Sequence, residues 1–124
     1  MTELAKKFDL EDRLVEYASS IIELTEALPG TRTGTHVAGQ LLRSGTSPAP
    51  NYGEAQAAES RRDFVHKMGI CLKELRESRI WLCILQQRAM LKASVVEASL
   101  RETEELIRIF KSSIATAKQN EVKQ

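Results

Sequence analysis

Toward the C-terminus of the chain, Val96, Leu100, Thr103, Ile107, Phe110, Ile114 and Ala117 follow one another at alternating steps of four and three, apolar but for one threonine. A helix turning about 100° per residue gathers such positions into one stripe, whereas a strand would scatter them over both faces. No proline follows Pro50, so nothing breaks this pattern or the one before it. Six glycines and three prolines in 124 residues supply few turns, which argues against a many-stranded β-sandwich. The chain is of a size for one domain with one hydrophobic core, spanning 1–124.

Four helical segments are expected. The first, about 9–28, carries Leu10, Leu14, Tyr17, Ile21, Leu24 and Leu28 on one stripe; Asp9 suits its cap and Pro29-Gly30 its end. The third, about 60–92, opens on Ser60 with Asp63 three residues on. Phe64, Met68, Cys71, Leu75, Leu82 and Leu85 then form a stripe in which Ser78 takes the intervening position. About thirty residues is long for a globular helix and favours bundle packing. The last, about 95–118, has Ser94 and Glu97 spaced as a capping box. The second, about 34–58, is interrupted. Val37, Ala38, Leu41 and Leu42 begin a stripe, Ser47-Pro48-Ala49-Pro50-Asn51 breaks it, and Tyr52, Ala55 and Ala58 resume it. Proline removes a donor and disfavours helix in the preceding residue, so these residues fit two short helices or one kinked helix.

Eighteen Lys and Arg against 17 Asp and Glu give a net charge of +1, so no global basic excess advertises nucleic acid. The distribution is uneven: residues 1–28 carry a net of −4 and residues 31–92 a net of +5. No apolar run reaches the roughly 18–20 residues of a membrane span, and the first twelve residues lack the apolar stretch of a secretory signal. A cytoplasmic protein with no membrane partner is the expectation. Cys71 and Cys83 are twelve residues apart, about 18 Å along one helix, beyond disulfide reach. They read as small buried hydrophobes in a reducing compartment.

The stretch 40–64, QLLRSGTSPAPNYGEAQAAESRRDF, resembles the bacterial family of four-helix-bundle proteins encoded in intervening sequences of 23S rRNA genes. The features that carry the likeness are Gln40-Leu41-Leu42-Arg43, Ser47 with Pro48 in shifted form, Pro50-Asn51, Gly53-Glu54-Ala55 and Arg61-x-x-Phe64, with Leu72-Lys73-Glu74-Leu75 farther on. Two departures are Ala55 where the family has glycine after the glutamate, and Pro48 directly after Ser47. The resemblance implies an all-α, antiparallel up-and-down four-helix bundle, its second helix kinked near Pro48–Pro50, assembled as a ring-shaped homo-oligomer, a pentamer. It also implies association with ribosomal RNA or another nucleic acid.

The residues themselves add two surfaces on the third helix. Ile80, Ile84 and Leu91 project opposite its core stripe with Trp81 on the flank, an apolar patch that a second subunit or a chain end would cover. Arg61, Arg62, Lys73, Arg76 and Arg79 also cluster away from the core, as a ridge that can lie along phosphates or pair with acids. No aromatics interleave with these cations, so a base-stacking platform is not indicated. Around the prolines, Arg43, Pro50, Asn51 and Glu54 form the kink set. Asn51 can donate to a freed carbonyl, and Glu54 can pair with Arg43 or Arg61; a ligand or RNA contact is the alternative. Of the elements a di-iron bundle needs, only Asp63-x-x-His66 is present, which caps a helix as readily. Glu102, Glu104 and Glu105 read as a solvated face. No metal, cofactor or catalytic residue is expected. The chain reads as a non-enzymatic nucleic-acid-associated protein or, alternatively, a protein–protein scaffold.

Overall fold

The computed structural model describes residues 9–123, with side chains for residues 10–120; the cap expected of Asp9 lies outside the described side chains. Five helices are present among the described residues: α1 (Asp9–Glu26), α2 (Arg32–Thr46), α3 (Pro48–Gln56), α4 (Arg61–Arg88) and α5 (Ala93–Lys123). Helices α2 and α3 form one bent rod. Between them Ser47 keeps helical dihedrals, φ −69° and ψ −38°. Its N–H reaches the Arg43 carbonyl, and the Asn51 N–H reaches the Ser47 carbonyl. The bend sits where Pro48 and Pro50 withhold donors from the helical ladder. Of the two arrangements compatible with the sequence, the kinked rod is the one formed.

Four rods therefore pack in chain order, with α1 on α2 and α3, these on α4, α4 on α5, and α5 back against α1. Neighbours run antiparallel: between the bent rod and α4, Ser44 meets Ser78 whereas Glu54 meets Lys67. The helix ends differ in places from the expected ones. Thr31 caps α2, its hydroxyl accepting from the Gly34 N–H at 3.1 Å. A Cβ on Gly34 would fall 1.9 Å from the Pro29 carbonyl oxygen, so only glycine lets this turn close. Ser60 caps α4 as expected, accepting from the Asp63 N–H at 3.0 Å. That helix ends at Arg88, short of 92, because Ala89 takes a left-handed conformation at φ 50°. Helix α5 starts at Ala93, which puts Ser94 inside the first turn rather than at the cap; the Val95 and Val96 N–H groups reach the Lys92 carbonyl instead.

All four rods feed one core, including Leu14, Ile21, Leu41, Met68, Leu75, Leu82, Leu85, Val96 and Phe110. On α5 the buried stripe runs through Thr103, Leu106 and Phe110, while Ile107 is only half-buried. Ser99, Thr103, Leu106 and Phe110 also step by four, three and four, so the face turned to the core lies on the Leu106 flank of the expected stripe.

At mid-height each rod contributes one buried hydroxyl: Tyr17, Ser44, Ser78 and Thr103. Tyr17 donates to Thr103 Oγ1 at 2.7 Å, because Thr103 spends its own proton on the Ser99 carbonyl at 2.6 Å. Ser78 and Ser44 are joined at 2.9 Å. Burial pushes the Tyr17 phenol up to about 12, against the lowering effect of its bonds to Thr103 and Ser78. Each such bond stabilises by only about 0.5–1.5 kcal/mol, but sliding one rod past another would strand these groups, so the layer fixes register. Next to Ser44, a Cβ on Gly45 would lie 2.8 Å from Ile21 Cγ2; α1 rests there on bare backbone.

Candidate nucleic-acid interface

Helix α4 presents two flanks. Toward α2 and α3 its charges are paired. Arg43 bonds Glu74 at 3.0 Å and also Glu77, and Lys67 bonds Glu54 at 2.9 Å. The Arg43 contact holds the Glu77 carboxyl below its usual range, and Glu54 raises the Lys67 ammonium. Trp81 closes the same seam, donating from Nε1 to Glu77 at 3.2 Å and meeting the His36 ring edge-on at 5.9 Å. Glu54 thus pairs with Lys67, not with Arg43 or Arg61 as the sequence led one to expect.

Toward α5 the charges are mostly cationic and mostly unpaired. Arg76 and Arg79 face Arg108 and Lys111 of α5 across a groove of about 440 Å³, with Ile80, Ile107 and Glu104 also on its walls. Arg108 is shared with Glu105 at 3.5 Å. Arg76, Arg79 and Lys111 make no ion pair among the described residues. Two of the four cations, Arg76 and Arg79, were legible in the sequence. Arg108 and Lys111 were not, because they belong to another helix, although their spacing of three residues was visible. Lys73 and Arg62 are exposed farther along α4.

Arg61 stands apart from the groove. It lines a different cleft at the end of the bundle, together with Phe64. Around the bend, Asn51 donates from Nδ2 to the carbonyl and hydroxyl of Ser47, both at 2.9 Å. It therefore serves the pivot residue rather than a carbonyl freed by proline, which would belong to Ser44 or Thr46. Pro50 is exposed. Of the apolar patch, Ile80 and Ile84 are open, at 49% and 38% exposure. Trp81 turns into the α2 seam, and Leu91, beyond the end of α4, packs half-buried against the core. Glu102 is not merely solvated: Arg13 holds it with two bonds of 2.7 and 3.1 Å, tying α1 to α5.

Among the described residues no group of three or more His, Cys, Asp or Glu could hold a metal ion, and no helix is long and apolar enough to cross a membrane. The fold defines a small all-α four-helix bundle with one kinked rod and a cationic groove. Residues 6–112 match the model of the family described as 23S rRNA-intervening sequence protein, and the chain belongs to that family. A solved structure of a protein with unknown function from the S23 ribosomal protein family of Bacteroides thetaiotaomicron VPI-5482 is similar to it. The two share 33% identity over 84% of this chain and 96% of that one, with a TM-score of 0.79. A search of proteins with curated descriptions returns no match.

Proposed function

We propose that this protein is a non-enzymatic, cytoplasmic RNA-associated protein that grips phosphates in the groove between α4 and α5. The observation that carries the reading is the convergence of Arg76, Arg79, Arg108 and Lys111 on one groove, three of them without an ion pair among the described residues. Guanidinium groups pair phosphate oxygens bidentately, and each phosphate neutralised releases counterions. Lys73 and Arg62 extend the charge along α4 for a backbone that continues past the groove. The family description, which names 23S rRNA intervening sequences, points to ribosomal RNA as the first nucleic acid to test.

Fluorescence anisotropy of a labelled 23S rRNA fragment against rising salt tests this reading. The double variant Arg76→Glu/Arg79→Glu should bind at least about tenfold more weakly, and its salt slope should fall by about 1.4 for single-stranded RNA. Unaltered binding by that variant would remove the groove from consideration.

A second reading, a homo-oligomeric scaffold with the pentamer as its expected form, is favoured by Ile80 and Ile84, open on the outward face of α4. Ile80 also walls the cationic groove, so an interface seated there would compete with RNA for the same surface. Light-scattering mass of the wild type and of Ile84→Asp checks it: an oligomer that the variant dissolves supports the scaffold, and a wild-type monomer ends it.

A further inference from the structure

Where α4 begins and α5 nears its end, a cleft of about 780 Å³ opens between the turn after α3 and the far half of α5. Arg61 reaches into its wall, and its Nη1 is buried with no hydrogen-bond partner. It is the only buried side-chain nitrogen or oxygen in that condition among the described residues. A guanidinium N–H shut off from water calls for an acceptor. Among the described residues none is offered: Glu59 lines the same cleft but forms no ion pair with Arg61.

The rest of the lining is rich in neutral donors. Ser113, Thr116 and Asn120 of α5 face the cleft, and none of their side chains is engaged in a hydrogen bond within the described residues. Gln56 is committed to Tyr52. The Ser60 hydroxyl already serves the Asp63 N–H, so the helix start is capped by the chain itself and the demand comes from the arginine. Phe64 and small alanines supply an apolar wall. One cation, several free hydroxyl and amide donors, and an apolar side match a tetrahedral oxyanion with a small organic substituent.

We propose that this cleft is a binding site for a small phosphate monoester, anchored by the Arg61 guanidinium, which turns its unpartnered Nη1 out to the ligand, and completed by Ser113, Thr116 and Asn120. It is separate from the α4–α5 groove and does not depend on RNA binding there. Phosphate spreads its charge over several oxygens, which suits one guanidinium backed by neutral donors better than a carboxylate with two.

Isothermal titration of the full chain with inorganic phosphate and with phenyl phosphate, at fixed ionic strength, tests the proposal. Saturable binding is expected for both, tighter for phenyl phosphate because its ring meets Phe64. Arg61→Met, which keeps the apolar stem, should weaken binding at least about tenfold, the loss of one charge-assisted contact. Arg76→Glu/Arg79→Glu should leave in place the binding that Arg61→Met removes, whatever weaker phosphate binding it costs at the groove. Should Arg61→Met fail to fold, Thr116→Val on the exposed wall provides the check, with a smaller loss expected. Absence of saturable binding, equal binding by the Arg61 and Thr116 variants, or loss confined to the Arg76/Arg79 variant would each overturn the assignment.

Discussion

The two flanks of α4 carry similar numbers of charged side chains and end in opposite states. Facing α2 and α3, each charge meets its opposite: Arg43 lies between Glu74 and Glu77, and Lys67 on Glu54. Facing α5, cations meet cations, and Arg76 and Arg79 look across at Arg108 and Lys111. The first seam helps to hold the bundle together, whereas the second stores like-charge repulsion that a polyanion would relieve. A modest net charge of +1 therefore conceals a surface sorted by sign. What distinguishes the two flanks is the pairing across the seam, which no count along the chain reveals.

If the flanks differ in this way, reversing one charge on each should give mirror-image outcomes. Arg76→Glu is expected to cost RNA affinity several-fold while leaving the thermal midpoint unchanged or slightly raised, since it relieves repulsion. Arg43→Glu sets a third carboxylate against Glu74 and Glu77. It should lower the midpoint by a few degrees and leave the RNA salt slope untouched. Melting curves and anisotropy titrations on the two variants check this together. Should both variants lose stability alike, the groove is structural as well.

A smaller effect separates the flanks by pH. Glu77 has a lowered folded-state pKa through its bond to Arg43. Its contribution is thus fully present above the ordinary value of 4.5 and is lost as pH falls through the folded one. Replacing Arg43 with Gln should flatten the acid side of the stability profile below that value. Arg79→Gln, on the unpaired flank, should leave it as it was. Urea midpoints at a series of pH values between neutral and about 3 read this directly.

Much of the fold was legible because periodicity and caps are local signals. The stripes through Leu14, Tyr17 and Ile21, or through Met68, Cys71 and Leu75, need only the spacing, and Ser60 announced the start of α4. Less legible were features set by geometry between segments. The left-handed Ala89 gives no sequence sign such as glycine would, so α4 seemed to run on and carried Leu91 with it. Leu106 stands in the core in place of Ile107 because the face turned inward lies to one side of the expected stripe, which spacing alone does not fix. The site was half legible. Arg76 and Arg79 share a helix face and could be paired from sequence, but Arg108 and Lys111 join them only once α5 is laid alongside. Arg61 looked like part of the same ridge, and only the bundle end shows it turned into a separate cleft.

The two cysteines of α4 offer the finest probe of this division. Cys71 lies in the core, its thiol donating toward the Pro48 carbonyl at 3.6 Å and pushed up to about 12 by burial. Cys83 is half-buried and falls seven residues after Arg76 and four after Arg79, which places it on the face those arginines share. At pH 8 a thiol reagent should therefore modify Cys83 and spare Cys71 in the folded protein, because only a thiolate attacks and the buried thiol stays protonated. RNA seated in the groove should slow the Cys83 reaction several-fold, and the Arg76→Glu/Arg79→Glu variant should lose that protection. A Cys83 rate indifferent to saturating RNA would put the nucleic acid on some other face and leave the unpaired flank without its proposed occupant.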